Sequence, residues 1–288
     1  MQPLVLPFPV HEPLASRLAL RLGAELGPVV VESSAERGFG LDVRGRDVVV
    51  VRGLERPDRE LLPLLMLARQ ARRCAASTLH LVAPRLVPPH EGNGAGGALR
   101  SALRRHFDGV VTVAGDGQLA SVEPWVVAPA GPALAAALAG RLRNPFFVAV
   151  GDGKPWMEDL AKAMGAPLFG AARLLGVHGC GAGLFWERNP VLLAEAIGDG
   201  MAVALVTHEL RRRGAPPPQV AVVHANATPG AVTRLEMAGI AGLSSTNTVL
   251  HPSNRADVSE AIADALWQLW AKVTEKPVRL ALAAASAS

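Results

Sequence analysis

The sequence predicts an α/β protein with two domains, each a mainly parallel sheet covered by helices. Short apolar runs without polar alternation, such as the four consecutive valines of Asp47–Arg52, indicate strands that are buried on both faces. Amphipathic stretches with helical periodicity separate these runs. The alternation starts again near Phe146, so the chain contains two strand–helix series.

The two series supply the elements of two domains, which we expect at residues 1–143 and 144–280, followed by a frayed Ala/Ser tail at 281–288. In the first domain the pattern predicts strands at Leu4–Pro9, Val29–Glu32, Asp47–Arg52, Leu79–Ala83 and Val110–Val113, and helices at His11–Leu26, Arg59–Ala75 and Gly97–His106. In the second it predicts strands at Phe146–Val150, Val191–Leu193, Val220–His224 and Gly242–Thr246, and helices at Pro155–Met164, Ala202–Arg213, Pro229–Ala238 and Val258–Val273.

Composition argues against several classes of protein. Half of the 288 residues are hydrophobic and 19% are charged, which is typical of a globular chain. Tyrosine is absent and aromatic residues make up 4%, so we expect no nucleic-acid partner despite the net charge of +4. No apolar run is long enough to predict a membrane span, and no signal peptide is evident. The two cysteines do not indicate a disulfide framework, so we expect a cytoplasmic protein.

Several segments, taken in order over residues 3–275, resemble the ribose-phosphate diphosphokinase (phosphoribosyl pyrophosphate synthetase) family. The order and spacing of these segments carry the resemblance more than any one of them does. They are Val43-Arg44-Gly45-Arg46-Asp47-Val48, the helix Leu61–Ala75 with Ala76-Ser77-Thr78-Leu79, Val222-Val223-His224 with Gly230–Arg234, Ser245–Thr248, and Ala261–Ala265.

The resemblance implies two tandem phosphoribosyltransferase-type domains. It also implies the family reaction, in which a pyrophosphate group passes from MgATP to ribose 5-phosphate, and hence a phosphorylated sugar or nucleotide as ligand. It implies self-association into a homodimer or a larger oligomer. Mg²⁺ is the cofactor that the resemblance suggests.

The ribose-phosphate loop of the family combines two acidic residues with a Thr-Gly-Gly-Thr phosphate cradle, and the matching stretch here is residues 194–202. Glu195 and Gly200 remain, whereas both threonines are replaced. Asp199 places a negative charge where the phosphate would lie, which opposes phosphate binding. The alternative is a plain strand-to-helix turn in which Asp199 caps the helix.

Other family motifs are also altered. Asp116 stands where the family has its metal-binding histidine, and it is either an oxygen ligand for Mg²⁺ or an ordinary turn residue. The phosphate turn has become Gly151-Asp152-Gly153-Lys154, which retains a cation for an anion. His224 is either functional or a common strand-end histidine. The segment that faces ATP in the family and the family's basic loop are replaced by Leu86–Glu91 and Gly176–Trp186.

Two kinds of function follow from these changes. The first is a catalytically degenerate protein with a regulatory, scaffolding or ligand-sensing role, since a fold persists independently of its site. The second is an enzyme with altered chemistry on a phosphorylated ribose or nucleotide, using Glu195, Asp116, Asp152 and Lys154. Residual diphosphokinase activity in nucleotide biosynthesis is a further alternative, against which the loss of several motifs together argues.

Overall fold

A computed structural model describes residues 2–30, 42–87, 95–113, 125–176 and 188–271 of the chain. Two compact units are distinguished by their packing. The first comprises Met1–Ala128 and Ser259–Ser288, and the second comprises Pro129–Val258.

The first unit contains a six-stranded sheet in which all paired strands run parallel, in the order β2-β1-β3-β4-β5-β6. In chain order its elements are β1 (Leu4–Pro7), α1 (Glu12–Leu22), β2 (Glu25–Leu26), β3 (Asp47–Val51), α2 (Pro57–Arg73), β4 (Thr78–Ala83), α3 (Ala95–His106), β5 (Gly109–Val113), β6 (Trp125–Ala128) and α9 (259–271).

The second unit contains another six-stranded parallel sheet, in the order β12-β11-β10-β9-β7-β8. Its elements are α4 (Gly131–Leu138), β7 (Pro145–Ala149), α5 (Pro155–Ala163), β8 (Leu168–Gly170), α6 (Ala171–Leu175), β9 (Asn189–Gly198), α7 (Met201–Arg212), β10 (Gln219–Ala227), α8 (Ala231–Ala238), β11 (Gly242–Thr246) and β12 (Asn254–Ala256).

Burial on both faces of the strands confirms why their sequences lack alternation. All four valines of β3 are fully buried. Val48 and Val50 pack in the apolar core beneath α2 and α3, whose leucines at Leu67 and Leu103 join the same cluster. Because neighbouring residues of a strand point to opposite faces, Val49 and Val51 are covered on the other side of the sheet.

Two helices belong to a different unit from the one that the expected limits of 1–143 and 144–280 would give them. Helix α4 packs against α5, β11 and β12 of the second unit. Helix α9 returns to the first unit, where the indole Nε1 of Trp270 donates to His80 Nδ1 at 3.3 Å. The return of the chain to the first unit after the second sheet could not be predicted, because the local sequence contains no signal for it.

Some predicted element bounds are wrong. Val29 and Val30 lie outside any strand, and the edge strand is Glu25–Leu26 instead. Pro28 has no backbone N–H, which prevents a continuous ladder there. Strand β9 is much longer than the predicted Val191–Leu193, because it is paired with β7 on one side and with β10 on the other. The expected tail at 281–288 lies outside the described residues.

Candidate functional site

The carboxyl edge of the second sheet brings together most of the residues that the sequence singled out. Gly151–Lys154 follow β7, Glu195 lies near the end of β9, Asp199 and Gly200 follow that strand, and His224 lies near the end of β10. Strands β7 and β10 are the two neighbours of β9 and run parallel to it. Ligands of open α/β sheets bind at this type of edge.

The turn from β9 into α7 is held by its own atoms. Gly198 and Gly200 have positive φ angles of 59° and 74°, which favour glycine. The Gly200 N–H donates to Ile197 O at 2.9 Å, and the Met201 N–H donates to Asp199 Oδ1 at 3.0 Å. Two amides at the start of the helix, which could otherwise bind an anion, are therefore occupied within the turn.

Asp199 lies one residue before the position that caps α7, which Gly200 occupies. Its carboxylate is exposed and its carbonyl oxygen accepts a hydrogen bond from the Arg234 guanidinium. The guanidinium contact is to the main chain of Asp199, so the described contacts provide no cation that neutralises its side chain.

Gly200 matches a glycine of the resembled cradle, yet its surroundings are those of a packing glycine. A Cβ at this position would lie 3.1 Å from Ala231 O and 3.4 Å from a Leu235 methyl carbon. The residue is buried, and the close approach brings the start of α7 against α8. The missing side chain here serves helix contact.

The turn after β7 is more open. A Cβ built on Gly151 or Gly153 would meet no atom within 4 Å, and residues 151–153 are exposed. Lys154 is half-buried in extended conformation immediately before α5, which starts with Pro155. This arrangement leaves space beside a cation and the exposed carboxylate of Asp152.

Glu195 is half-buried on β9. Its neighbour Ala194 is 5% exposed and belongs to the apolar core, so the alternation of a strand directs Glu195 to the opposite face of the sheet. The long strand therefore places a carboxylate at the ligand edge and keeps the adjacent position apolar.

His224 is buried and lies inside a network of hydroxyl groups. Its Nδ1 is 2.9 Å from Thr248 Oγ1. The hydroxyls of Thr246 and Thr248 donate to Val223 O at 2.7 and 3.1 Å. The hydroxyls of Thr246 and Thr248 also lie 2.9 Å from each other, so the ring of His224 is held at one end of a connected hydroxyl network.

The segment after β11 is a second polar feature, which the sequence analysis did not identify as part of the site. Asn254 Nδ2 donates to Ser245 Oγ at 3.0 Å, to Thr246 O, and to Val249 O at 3.0 Å. Its Oδ1 accepts from the His251 N–H at 2.8 Å. The run of Ser, Thr, Asn and His at 244–254 is the signal that could have indicated this network.

The carboxyl edge of the first sheet is built differently. His11 is buried, and its Nε2 accepts from the Gly53 N–H at 2.6 Å. Burial, with a smaller contribution from the Arg52 guanidinium, lowers the pKa of His11 from 6.5 to about 4. Arg52 lies 4.0 Å above the ring of Phe8 and is 6% exposed. Among the described residues, these side chains fill the space at the ends of β1 and β3.

Asp116 lies outside the described residues. In the described ranges no group of three or more His, Cys, Asp or Glu side chains is arranged to hold a metal ion. Among the same residues, none of the helices combines the length and apolar character needed to cross a bilayer.

Comparison with solved structures identifies the architecture. Phosphoribosyl pyrophosphate synthetase from Mycobacterium smegmatis superposes with a TM-score of 0.72 and 18% identity, over 94% of this chain and 100% of that one. The fold matches that of phosphoribosyl pyrophosphate synthetase. The two phosphoribosyltransferase-type domains predicted from the sequence are thereby confirmed. Identity at this level shows the fold alone.

Other comparisons add no argument. GsuK bound to ADP gives a TM-score of 0.36 at 12% identity, over 86% of this chain and 66% of that one. The trehalose repressor from Escherichia coli gives 0.34 at 16% identity, over 96% and 94%. Both scores are too low to carry an inference. No family model matches the sequence, and no curated protein matches it.

Proposed function

We propose that this protein is a binding protein with a regulatory, scaffolding or ligand-sensing role, built on the phosphoribosyl pyrophosphate synthetase fold and lacking diphosphokinase activity. The observation that carries the proposal is the turn at Gly198–Gly200. Phosphoryl transfer depends on donors aimed at developing negative charge. Here Asp199 brings a carboxylate to that position and takes up the Met201 amide itself.

The ligand of this binding function is a phosphorylated ribose or a nucleotide, held at the carboxyl edge of the second sheet. Glu195 offers a carboxylate to ribose hydroxyls. Lys154 stands beside the open turn of Gly151 and Gly153 and offers a cation to a phosphate. His224 contributes an imidazole whose orientation is set by Thr248.

The experiment is titration calorimetry with ribose 5-phosphate, MgATP and phosphoribosyl pyrophosphate. We expect at least one of the three to bind, with affinity weakened by Lys154→Ala and by Glu195→Gln. Lys162→Ala is the matched control. It also removes a lysine, but from the last turn of α5, whereas Lys154 lies at the start of that helix. Absence of heat with all three ligands would refute the ligand class.

A second candidate is an enzyme with altered chemistry on the same ligands. The observation in its favour is the imidazole of His224, which is buried near the end of β10 with its Nδ1 2.9 Å from Thr248 Oγ1, since histidine is the side chain most often used as a general base. The test is release of phosphate or pyrophosphate from these ligands. Turnover that His224→Gln abolishes would favour this candidate over pure binding.

The resemblance also leads us to propose a cytoplasmic homo-oligomer. Light scattering of the purified protein should give a particle of at least twice the 30.0 kDa chain mass. A monomer at micromolar concentration would contradict this part of the proposal.

A further inference from the structure

Helix α3 carries a continuous basic face that the ligand site does not use. Gly97, Arg100, Ser101, Arg104 and Arg105 line a groove of about 400 Å³. Their spacing of three, four, seven and eight residues from Gly97 places them on one side of the helix. At 1.5 Å per residue, the face extends about 12 Å along the helix axis.

The three arginines lack a counter-charge in the described part of the chain. No described residue forms an ion pair or a side-chain hydrogen bond with Arg100, Arg104 or Arg105, and α3 itself contains no carboxylate. Some other arginines of the chain are neutralised: for example, Arg46 pairs with Glu25 at 2.7 Å and Arg85 with Glu55 at 3.2 Å. What distinguishes α3 is that three such arginines lie together on one side of a single helix.

Helix α2, which contacts α3, also carries an excess of positive charge. Arg69 and Arg73 of α2 are exposed, and Arg72 pairs with Asp108, which follows α3, at 2.7 Å. Residues 57–73 and 95–108 together contain seven arginines and three carboxylates. The excess of four positive charges equals the net charge of the whole chain.

Like charges on adjacent helical turns have a cost. Arg100 and Arg104 are four residues apart, where repulsion destabilises a helix by about 0.2–0.5 kcal/mol. An anionic partner bound between these arginines would attract both of them and offset their mutual repulsion. Guanidinium groups bind carboxylates through two parallel hydrogen bonds, and Ser101 adds a hydroxyl between two of them.

We propose that the groove along α3 is a docking surface for an acidic segment of a partner protein. This surface is independent of the ligand site in the second unit. The groove is short, and none of the described residues that line it is aromatic, so these residues offer no stacking platform for a single-stranded nucleic acid. The same residues include no large apolar side chain that could enter a bilayer. A run of Asp or Glu residues fits its length and its charge.

The proposal is tested by fluorescence anisotropy of a labelled short poly-glutamate peptide added to the full chain. We expect binding at low ionic strength that weakens as salt is raised. The variant Arg100→Glu/Arg104→Glu/Arg105→Glu should weaken binding by about tenfold or more. The matched control is Arg141→Glu/Arg173→Glu/Arg255→Glu, which changes net charge equally at exposed positions of the second unit and should leave binding nearly unchanged.

Two further arms keep the result decisive. The single variant Arg104→Gln, in which the helix keeps its other charges, should show a smaller loss of peptide affinity. Circular dichroism verifies that each variant is folded. A wild-type protein that does not bind the peptide would overturn the proposal, as would equal loss in both triple variants. If a single-stranded oligonucleotide bound to the same arginines more tightly than the peptide does, the proposal of an acidic protein segment would be overturned in favour of nucleic acid as the partner.

Discussion

The carboxyl edges of the two sheets contain a buried histidine each, and the two histidines have different surroundings. His11 in the first unit accepts a backbone N–H from Gly53 and lies beside Arg52. His224 in the second unit forms a hydrogen bond with the Thr248 hydroxyl in a network of threonines. A Cβ on Gly53 would lie 2.9 Å from His11, whereas one on Gly151 or Gly153 would meet open space.

This difference shows where a ligand can enter. In the described part of the first edge, His11, Arg52 and Phe8 occupy the space next to the ends of β1 and β3. The second edge retains open glycine turns, a lysine, a carboxylate and an oriented imidazole. The ends of β1 and β3 are thus packed, whereas the turn after β7 is exposed, which agrees with function residing in sites carried by a fold.

The largest expected effect is a loss of stability at acidic pH that comes from the first unit. Burial lowers the pKa of His11 to about 4, and burial likewise lowers that of His80 to about 4. The unfolded chain, with histidine pKa values near 6.5, binds these protons first. Stability is therefore full above pH 6.5 and falls as pH drops toward 4, by about 3 kcal/mol for each histidine.

Chemical denaturation at a series of pH values measures this slope. His11→Gln retains an acceptor but does not titrate, so it should remove roughly half of the slope. An unfolding free energy that is constant between pH 6.5 and 4 would show that neither histidine is held neutral by the fold.

The next effect comes from adding a methyl group at Gly53, which is packed against His11 in the first unit. Gly53→Ala places a methyl carbon 2.9 Å from His11 Nε2 and 3.2 Å from its Cε1, so we expect destabilisation of about 1–3 kcal/mol. Gly153→Ala is the control, because its Cβ meets no atom within 4 Å, and it should change stability by less than about 0.5 kcal/mol. Equal losses in thermal unfolding would remove the contrast between the edges.

The open edge should respond through ligand affinity. Asp199→Thr removes a negative charge and frees the Met201 amide, so ribose 5-phosphate should bind roughly five- to tenfold more tightly by calorimetry. Ala202→Thr is a useful addition because Ala202 is exposed, whereas Ala194→Asp is unsuitable because Ala194 lies in the core. Unchanged affinity would mean that the turn itself has lost the geometry of a phosphate cradle.

The strands and the general fold were predictable because burial on both faces leaves runs such as Val48–Val51. Helix α4 was missed, since Gly131–Leu138 is rich in alanine and shows little contrast between its faces. The return of α9 to the first unit and the pairing of His224 with Thr248 depend on contacts between distant residues. Periodicity and motif spacing contain no information on such contacts.

The measurement that tests the central claim most directly is release of AMP from MgATP in the presence of ribose 5-phosphate. The claim that the cradle at Gly198–Gly200 no longer supports phosphoryl transfer predicts a rate near the uncatalysed background, since loss of one electrostatic stabiliser alone costs about 10²–10³ in rate. Turnover of about 1 s⁻¹ or more, as in ordinary enzymes, would contradict it.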